Sequence, residues 1–182
     1  AGASSSHRLA RMLVSEPSKS KKASATGAQA LDKKDHGILA LLQTDASQPV
    51  ADIAEQVSLS PTACWKRIQR LHELGLIRKQ VCLLDSRQVG VGVTVFVSIK
   101  TNHHDLQWFN TFASGVKDMP EVMEFYRMSG HTDYLLKVVV PDIEGFDRVY
   151  KKIIKVAELF DVSSSFAMEE IKYTTALPLE HL

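Results

Sequence analysis

Two short amphipathic segments that meet at a tight turn constrain the fold of this chain more than any other feature. The turn covers residues 57–60, and the second segment begins with Ser-Pro-Thr at residues 60–62. Serine accepts hydrogen bonds from the free backbone N–H groups at a helix start, and proline suits the first helical position. Beyond this start, Cys64, Ile68 and Leu71 recur at helical spacing. The pattern predicts a capped helix with one apolar stripe.

The opposite side of this helix is polar and partly basic. A short helix followed by a capped helix that presents Lys, Arg, Gln and Thr is what reading the major groove of DNA requires. A basic helix face alone is more often plain solvated surface, so the prediction depends on the cap, the preceding helix and the interleaved polar residues together. We therefore predict a helix-turn-helix, with these candidate DNA contacts: Ser60, Thr62, Trp65, Lys66, Arg67, Gln69, Arg70, Arg78 and Lys79.

The candidate contacts differ in the part of DNA that they suit. The side chains of Lys66, Arg67 and Arg70 suit phosphates or guanine, whereas Gln69 and Thr62 suit base edges. Ser60 can serve a phosphate as well as the cap. Two alternatives remain open for Trp65, which either contacts a thymine methyl group or sugar or packs on a neighbouring strand.

The segments around the turn complete a small domain. Apolar periodicity predicts helices over residues 31–44, 50–57 and 60–74, and Gly75 occupies the position of a left-handed helix cap. Residues 77–83 alternate loosely and favour a short wing strand that carries Arg78 and Lys79. Residues 31–83 are thus predicted to form a winged helix-turn-helix.

The pattern changes after a glycine-containing linker at residues 84–90. Beyond the linker, runs of β-branched residues predict strands and runs with helical spacing predict helices, in the order βαββαβ. This order predicts a ferredoxin-like unit and an α+β chain. Its sheet carries helices on one face, so the other face needs a partner or solvent. The domain covers residues 91–182, with strands over 91–100, 122–128, 134–140 and 162–175 and helices over 102–118 and 143–156.

The charge is distributed unevenly along the chain, although the net charge is only +1. Residues 58–80 hold five basic side chains against one acidic, whereas residues 81–182 hold ten against fourteen. This division indicates an anionic partner for the front of the chain only. Residues 1–30, rich in Ser, Ala and Lys, are predicted to be a disordered basic tail that adds phosphate attraction or resembles an organellar transit peptide.

Other classes of site find little support in the sequence. Apolar runs are too short for a membrane span, which needs ~20 residues, and two cysteines without CxxC spacing fit a reducing cytosol. Cys64 on the apolar stripe is predicted to be a buried, reduced thiol rather than a redox switch. His103 and His104 are adjacent and do not point the same way, so we expect no metal. The sequence shows no glycine-rich phosphate loop, no nucleophile elbow and no paired carboxylates on a single element, so we expect no other cofactor and no catalysis.

The residues resemble the Lrp/AsnC, or feast/famine, family of transcription regulators. The resemblance covers residues 31–182 and is carried by LDKKDHGILALLQ, SLSPTACWKRIQRLHELGLI and GHTDYLLKV. The CWKR run and the tail SSSFAMEEIKYTTALP are similar to the cysteine-responsive DecR-like branch. The resemblance implies a cytoplasmic, nucleoid-associated regulator of double-stranded DNA. It also implies homodimers that pair sheet to sheet and often form octamers, with amino-acid effectors bound between dimers.

The family also implies an effector loop between the second and third strands. Its Gly-x-x-Asp pattern falls on Gly130 and Asp133, where glycine lets a ligand approach the backbone and the carboxylate accepts from an α-ammonium group. A plain turn remains the alternative, because glycine and aspartate are common turn residues. The neighbouring candidates for the effector cleft are Tyr126, Met128, His131, Ser163, Ser164 and Ser165.

Two competing functions remain open. The first is an architectural protein that wraps DNA without any effector. The second is a regulatory domain of an enzyme of amino-acid metabolism, although the chain has no third region large enough for an active site.

Overall fold

The computed structural model describes residues 31–103 and 105–181. The predicted basic tail at residues 1–30 and the side chain of His104 lie outside these residues. No helix within the described ranges is both long and apolar enough to cross a membrane.

Three helices form the front domain, and their limits agree with the sequence prediction to within two residues. They bury one apolar cluster, comprising Ile38, Ile53, Ala54, Val57, Cys64, Ile68 and Leu71. This cluster includes the whole predicted stripe of the third helix. The helices are α1 (Lys33–Thr44), α2 (Val50–Gln56) and α3 (Pro61–Glu73).

The ends of these helices are fixed by local chemistry. The Ser60 side chain accepts from the backbone N–H of Ala63, as expected for a cap with proline at the next position. Ser58 adopts a left-handed φ of 53°, which lets the chain leave α2 and enter α3 after only two further residues. Gly75 has a φ of 73°, and the N–H of Leu76 donates to the carbonyl of Leu71, as in a Schellman cap.

The predicted wing strand does not form in the single chain. Residues 78–85 are exposed and form neither helix nor strand. A strand needs a hydrogen-bonded neighbour, and no strand of the described residues pairs with this segment. As far as the structure describes it, the front domain of one chain is therefore a three-helix unit followed by an irregular, exposed segment.

The back domain is the predicted ferredoxin-like unit. Its four strands form an antiparallel sheet in the order β2-β3-β1-β4, with both helices on one face. The α+β class and the βαββαβ order are confirmed. The elements are β1 (Val93–Lys100), α4 (Leu106–Lys117), β2 (Val122–Arg127), β3 (Tyr134–Val140), α5 (Ile143–Val156) and β4 (Asp161–Phe166).

Alternation along the two central strands separates the faces of the sheet. On β1, Val95, Val97 and Ile99 are fully buried, and on β3 every second residue from Tyr134 to Val140 is buried. Phe112 and Val116 of α4 and Phe146, Val149 and Ile153 of α5 cover this face. The opposite face is not covered by a layer of helices, which leaves it open for another partner.

Two element boundaries of the back domain differ from the prediction by more than two residues. Helix α4 begins at Leu106 rather than at residue 102, because Asp105 caps it by accepting from the N–H of Trp108. Strand β4 ends at Phe166 rather than at residue 175. The apolar spacing beyond Phe166 lacks a strand partner, so residues 167–181 form neither helix nor strand except for a turn at the end.

Candidate DNA-reading surface and effector loop

The exposed stripe of α3 is polar and uninterrupted by other parts of the described chain. Thr62, Trp65, Lys66 and Gln69 are all exposed, and they lie opposite the buried Cys64, Ile68 and Leu71. Their spacing of three and four residues places them on one side of the helix. This surface can enter a groove without disturbing the core. Trp65 is 52% exposed, so of its two alternatives the packed position is not adopted in the single chain.

Arg67 and Arg70 have a different environment from the rest of the predicted reader. Nη1 of Arg67 lies 2.8 Å from Oδ1 of Asp35 and 2.7 Å from Oδ2 of Asp32. Nη2 of Arg70 lies 3.2 Å from Oδ2 of Asp35, which is only 1% exposed. The contact of both arginines with DNA stays a prediction, but in the single chain their guanidinium groups already bind acids of α1. The two guanidinium groups join α3 to α1, because a buried carboxylate must be paired.

The charges of this ion-pair group reinforce one another. The pKa of Asp32 is lowered, first by the backbone N–H of Asp35 and then by the Arg67 guanidinium. The pKa of Arg67 is raised, first by its hydrogen bond to Asp35 and then by that to Asp32. Asp32 also caps α1, accepting from the N–H groups of Lys34 and Asp35 in a capping box. The same acids thus start α1 and hold the reading helix against it.

The remaining predicted DNA contacts lie at the edges of this surface. Ser60 is exposed and uses its hydroxyl as the helix cap. Arg78 and Lys79 are exposed on the segment after α3. None of these side chains forms an ion pair within the described residues. Their contact with DNA stays a prediction.

The predicted effector loop joins β2 to β3 and is closed by several hydrogen bonds. The N–H of Met128 donates to the carbonyl of Asp133 at 2.8 Å. Gly130 has a φ of 109°, which side-chain-bearing residues rarely adopt, and no atom lies within 4 Å of the position that a Cβ would take. Glycine is thus needed for the path of the backbone, and the space beside it is open.

Asp133 has a structural role that the sequence did not predict. Its Oδ2 accepts from the backbone N–H of Thr101 at 2.9 Å, and its own N–H donates to the carbonyl of Ile99 at 3.0 Å. These bonds fasten the loop to the end of β1. One carboxylate oxygen therefore already has a partner, whereas Oδ1 has none among the described residues.

Tyr126 belongs to a polar network on the open face of the sheet. Its hydroxyl donates to Oε2 of Glu124 at 2.7 Å, and Nζ of Lys137 lies 3.2 Å from Oε1 of the same carboxylate. The hydrogen bond from Tyr126 is the first cause of the lowered pKa of Glu124, and Glu124 raises the pKa of Tyr126. Both Met128 and His131 are exposed beside this network.

The three predicted serines do not join the loop in one pocket. Ser163 and Ser165 pair with Ser98 and Phe96 on the open face, whereas Ser164 pairs with Val97 and faces the helices. Strands β4 and β2 are the opposite edges of the sheet, separated by two strands, or roughly 14 Å. The contact of the three serines with an effector stays a prediction, because the family resemblance places the effector between dimers rather than within one chain.

A cleft elsewhere in the back domain contains none of the predicted effector residues. It has a volume of about 180 Å³ and lies between α4 and β2, lined by Phe109, Ala113, Lys117, Phe125 and Arg127. Among the histidines of the metal alternative, His103 stacks on Trp108 and lies 3.7 Å from Glu158. The Cys64 thiol is buried, and that burial raises its pKa.

The fold and the reading surface together define a DNA-binding regulator with a separate ferredoxin-like domain. The AsnC-type helix-turn-helix domain matches residues 31–72, and the Lrp/AsnC ligand binding domain matches residues 94–177. The chain therefore belongs to the Lrp/AsnC family of transcriptional regulators.

Relatives and solved structures agree over almost the whole described chain. The transcriptional activator DecR of Escherichia coli K12 is 49% identical over 82% of this chain and 99% of its own length. The glutamate uptake regulatory protein of Zymomonas mobilis is 47% identical over 82% and 91%. The similarity to DecR supports the DecR-like branch named from the sequence.

The solved structures include one with an amino acid. An AsnC family regulator from Agrobacterium tumefaciens has a TM-score of 0.81 and 54% identity, covering 84% of this chain and 99% of that chain. A transcriptional regulator of Neisseria meningitidis, solved in complex with L-Met, has a TM-score of 0.80 and 33% identity over the same shares.

Proposed function

We propose that this regulator reads DNA with the exposed stripe of α3, namely Thr62, Trp65, Lys66 and Gln69. The observation that supports the proposal is that the polar side chains of α3 have two different environments. Arg67 and Arg70 bind acids of α1, whereas the stripe has no partner within the described residues other than solvent. A helix held in this way presents its polar side chains rigidly, which favours direct contacts with base edges. Arg78 and Lys79 are assigned to phosphates.

Substitutions on α3 test the reader. Lys66→Ala should weaken binding to all DNA sequences and lower the salt dependence by about one phosphate contact. Gln69→Ala should instead relax the preference at one base pair, which costs about 1–3 kcal/mol. Glu55→Ala, at an exposed position of α2, serves as the matched control. Unchanged gel-shift affinity for both α3 variants at two salt concentrations would exclude this surface as the reader.

We propose that a small amino acid, cysteine first among the candidates, binds at the loop from Met128 to Asp133. The free Oδ1 of Asp133 accepts from the α-ammonium group, and the open space beside Gly130 admits the ligand to the backbone. Tyr126, Met128 and His131 supply further exposed contacts at the same end of the sheet. The L-Met complex of the Neisseria meningitidis relative supports an amino acid as the class of effector.

Two substitutions of one residue separate a ligand contact from a structural one. Asp133→Asn keeps an oxygen for the N–H of Thr101 but removes the charge, whereas Asp133→Ala removes both. A contact with an ammonium group predicts that Asp133→Asn keeps the wild-type melting temperature in the absence of ligand and loses the stabilisation by amino acids. If Asp133→Asn responds like the wild type in calorimetry with twenty amino acids, the loop is only a turn.

We further propose that the chain acts as a homodimer, and in octamers, rather than as a catalyst. Within the described residues of one chain, the segment 78–85 has no strand partner and the open sheet face has no covering layer of helices, and a second copy supplies identical surfaces to both. The distance between the loop and the serines of β4 also favours an effector cleft completed by another copy. Light scattering during the amino-acid titration measures the assembly.

The architectural alternative differs in one observable. A DNA-wrapping protein without an effector would bind none of the amino acids, yet would compact long DNA. The free Oδ1 of Asp133 and the exposed loop favour the regulated function over this alternative. We place the protein's action in the cytoplasm, on the nucleoid.

A further inference from the structure

The segment after β4 runs from the back domain to the front domain. The N–H of Ala167 makes the last hydrogen bond to β1, at the carbonyl of Thr94. Met168 and Ile171 are then 95% and 91% exposed, so apolar burial does not hold this part of the segment in place. We call residues 167–181 the C-terminal strap.

One side chain of α1 binds the backbone of the strap. Nε2 of Gln43 donates to the carbonyl of Leu177 at 2.9 Å, and the N–H of Leu177 donates to Oε1 of Gln43 at 2.9 Å. The amide of Gln43 thus satisfies both backbone groups of one residue, as a neighbouring strand would. Gln43 therefore binds the main chain of Leu177 rather than a particular side chain.

A second contact joins the strap to the open face of the sheet. Nζ of Lys137 lies 5.6 Å from the centroid of the Tyr173 ring, within the range of a cation–π interaction. Lys137 also pairs with Glu124, which accepts from the hydroxyl of Tyr126. The strap therefore touches the polar network that contains Tyr126, one of the candidate effector residues.

The contacts continue from α1 to the reading helix. Gln43 and Asp35 belong to the same helix, and Asp35 binds Arg67 and Arg70 of α3. The contacts described above thus connect Tyr126 with α3. They run through Lys137, the strap and helix α1. Coupling between two sites requires such a physical connection together with an element that has two arrangements.

We propose that the C-terminal strap is this element, and that its docking on Gln43 couples the state of the sheet domain to the position of the DNA reader. The proposal rests on the proposed function for its effector. The strap has few buried contacts, so it docks and releases at low cost. A ligand that displaces Tyr126 or Lys137 changes the docking, and α1 transmits the change to α3.

Hydrogen exchange tests the docking without any ligand. Gln43→Ala removes both hydrogen bonds to Leu177, so the peptide that contains Leu177 should exchange several-fold faster. Gln56→Ala is the matched control, because Gln56 bonds only to Gln48 and Asp52 within the front domain. Equal exchange of the Leu177 peptide in the wild type and in Gln43→Ala would overturn the docking.

The coupling is tested with a DNA duplex that the wild-type chain selects from a random-sequence pool. L-cysteine or L-methionine should change the affinity of the wild type at least fivefold, the lower end of typical couplings. Gln43→Ala should keep the ligand-free affinity within twofold but respond less than twofold. A full response in Gln43→Ala would overturn the coupling.

If the wild-type chain responds to neither amino acid, the proposed effector is contradicted. The coupling through the strap is then tested by hydrogen exchange with and without the duplex. Linkage is reciprocal, so DNA binding must change the exchange rate of the Leu177 peptide in the wild type and not in Gln43→Ala. If the duplex leaves this rate unchanged in the wild type, the coupling is overturned. If it changes the rate equally in both proteins, the role of Gln43 is overturned.

Discussion

Arg67 and Asp35 form an ion pair 2.8 Å long between the reading helix and the first helix of the domain. Asp35 is almost fully buried, although Arg67 is partly exposed, so the pair lies at the boundary between core and surface. A buried carboxylate without its partners is strongly unfavourable, which makes this contact a determinant of how α3 sits on α1. The geometry of the DNA surface thus depends on residues that do not belong to it.

Asp35→Ala should lower the free energy of unfolding by roughly 1.5–3 kcal/mol, because it removes charge-assisted hydrogen bonds to Arg67 and Arg70, whose side chains are partly exposed and can turn to water. Urea unfolding followed by far-ultraviolet circular dichroism measures the loss. Asp32→Asn is the control, since asparagine still caps α1 and Asp32 is half exposed. A loss below about 1 kcal/mol for Asp35→Ala would mean that the ion pair does not hold the two helices together.

Gly115→Ala should destabilise the back domain by about 1–3 kcal/mol, despite the better helix propensity of alanine. A Cβ at this position would lie 2.4 Å from Cγ1 of Val156, so α4 and α5 must move apart. Val156→Ala removes both methyl groups of the clash and should recover part of the loss in the double variant, as a thermodynamic cycle measures. Purely additive losses would show that the helices are not in close contact here.

Tyr126→Phe should lower stability in a manner that depends on pH. The Tyr126 hydroxyl lowers the pKa of Glu124 below its ordinary 4.5, so this contribution is present above that value and is lost as the pH falls through the pKa of the folded state. Glu124 raises the pKa of Tyr126 above 10.0, so the contribution is also lost as the pH rises through that raised value.

The difference in melting temperature between Tyr126→Phe and the wild type should therefore be largest near neutral pH and shrink toward both extremes. Tyr150→Phe, on α5, is a control of the same chemistry. A difference that is constant from pH 3 to pH 11 would contradict the hydrogen bond between Tyr126 and Glu124.

Cys82 should react with iodoacetamide in the native protein, whereas Cys64 should not. Cys82 is exposed, but Cys64 is fully buried and its raised pKa disfavours the reactive thiolate. Mass spectrometry should find one modified cysteine before unfolding in urea and two afterwards. Rapid native modification of Cys64 would restore the redox switch as a competing interpretation.

Local patterns predicted the elements of the fold and most of their limits. The Ser60 cap, the stripe through Cys64 and the left-handed Gly75 depend on neighbours within a few residues, and all three are confirmed. The alternation of β1 and β3 likewise follows from burial on one face. Two strand predictions were wrong because they depend on a partner that is distant in the sequence. Residues 77–83 and 167–175 have strand-like spacing, but a strand exists only where a partner lies beside it.

The candidate site was predicted less completely than the fold. Counting basic residues on α3 did not separate those facing solvent from those facing α1, because Asp35 is more than thirty residues away along the chain. The helix over residues 31–44 was predicted from its apolar spacing, but the ion pairs at its first turn were not. Similarly, turn chemistry predicted the loop at Gly130, but not the bond from Thr101 to Asp133.

The sequence by itself determined that this chain has a helix-turn-helix with a capped, polar-faced second helix, an antiparallel βαββαβ domain and the family to which both belong. These properties follow from the spacing of residue types within single segments of the chain. Only the tertiary structure decided which arginines pair with Asp35, which oxygen of Asp133 has no partner among the described residues, and which side chain binds the C-terminal strap. Each of these depends on two residues brought together by folding, and the chemistry of a polar group is set by the partner that it meets.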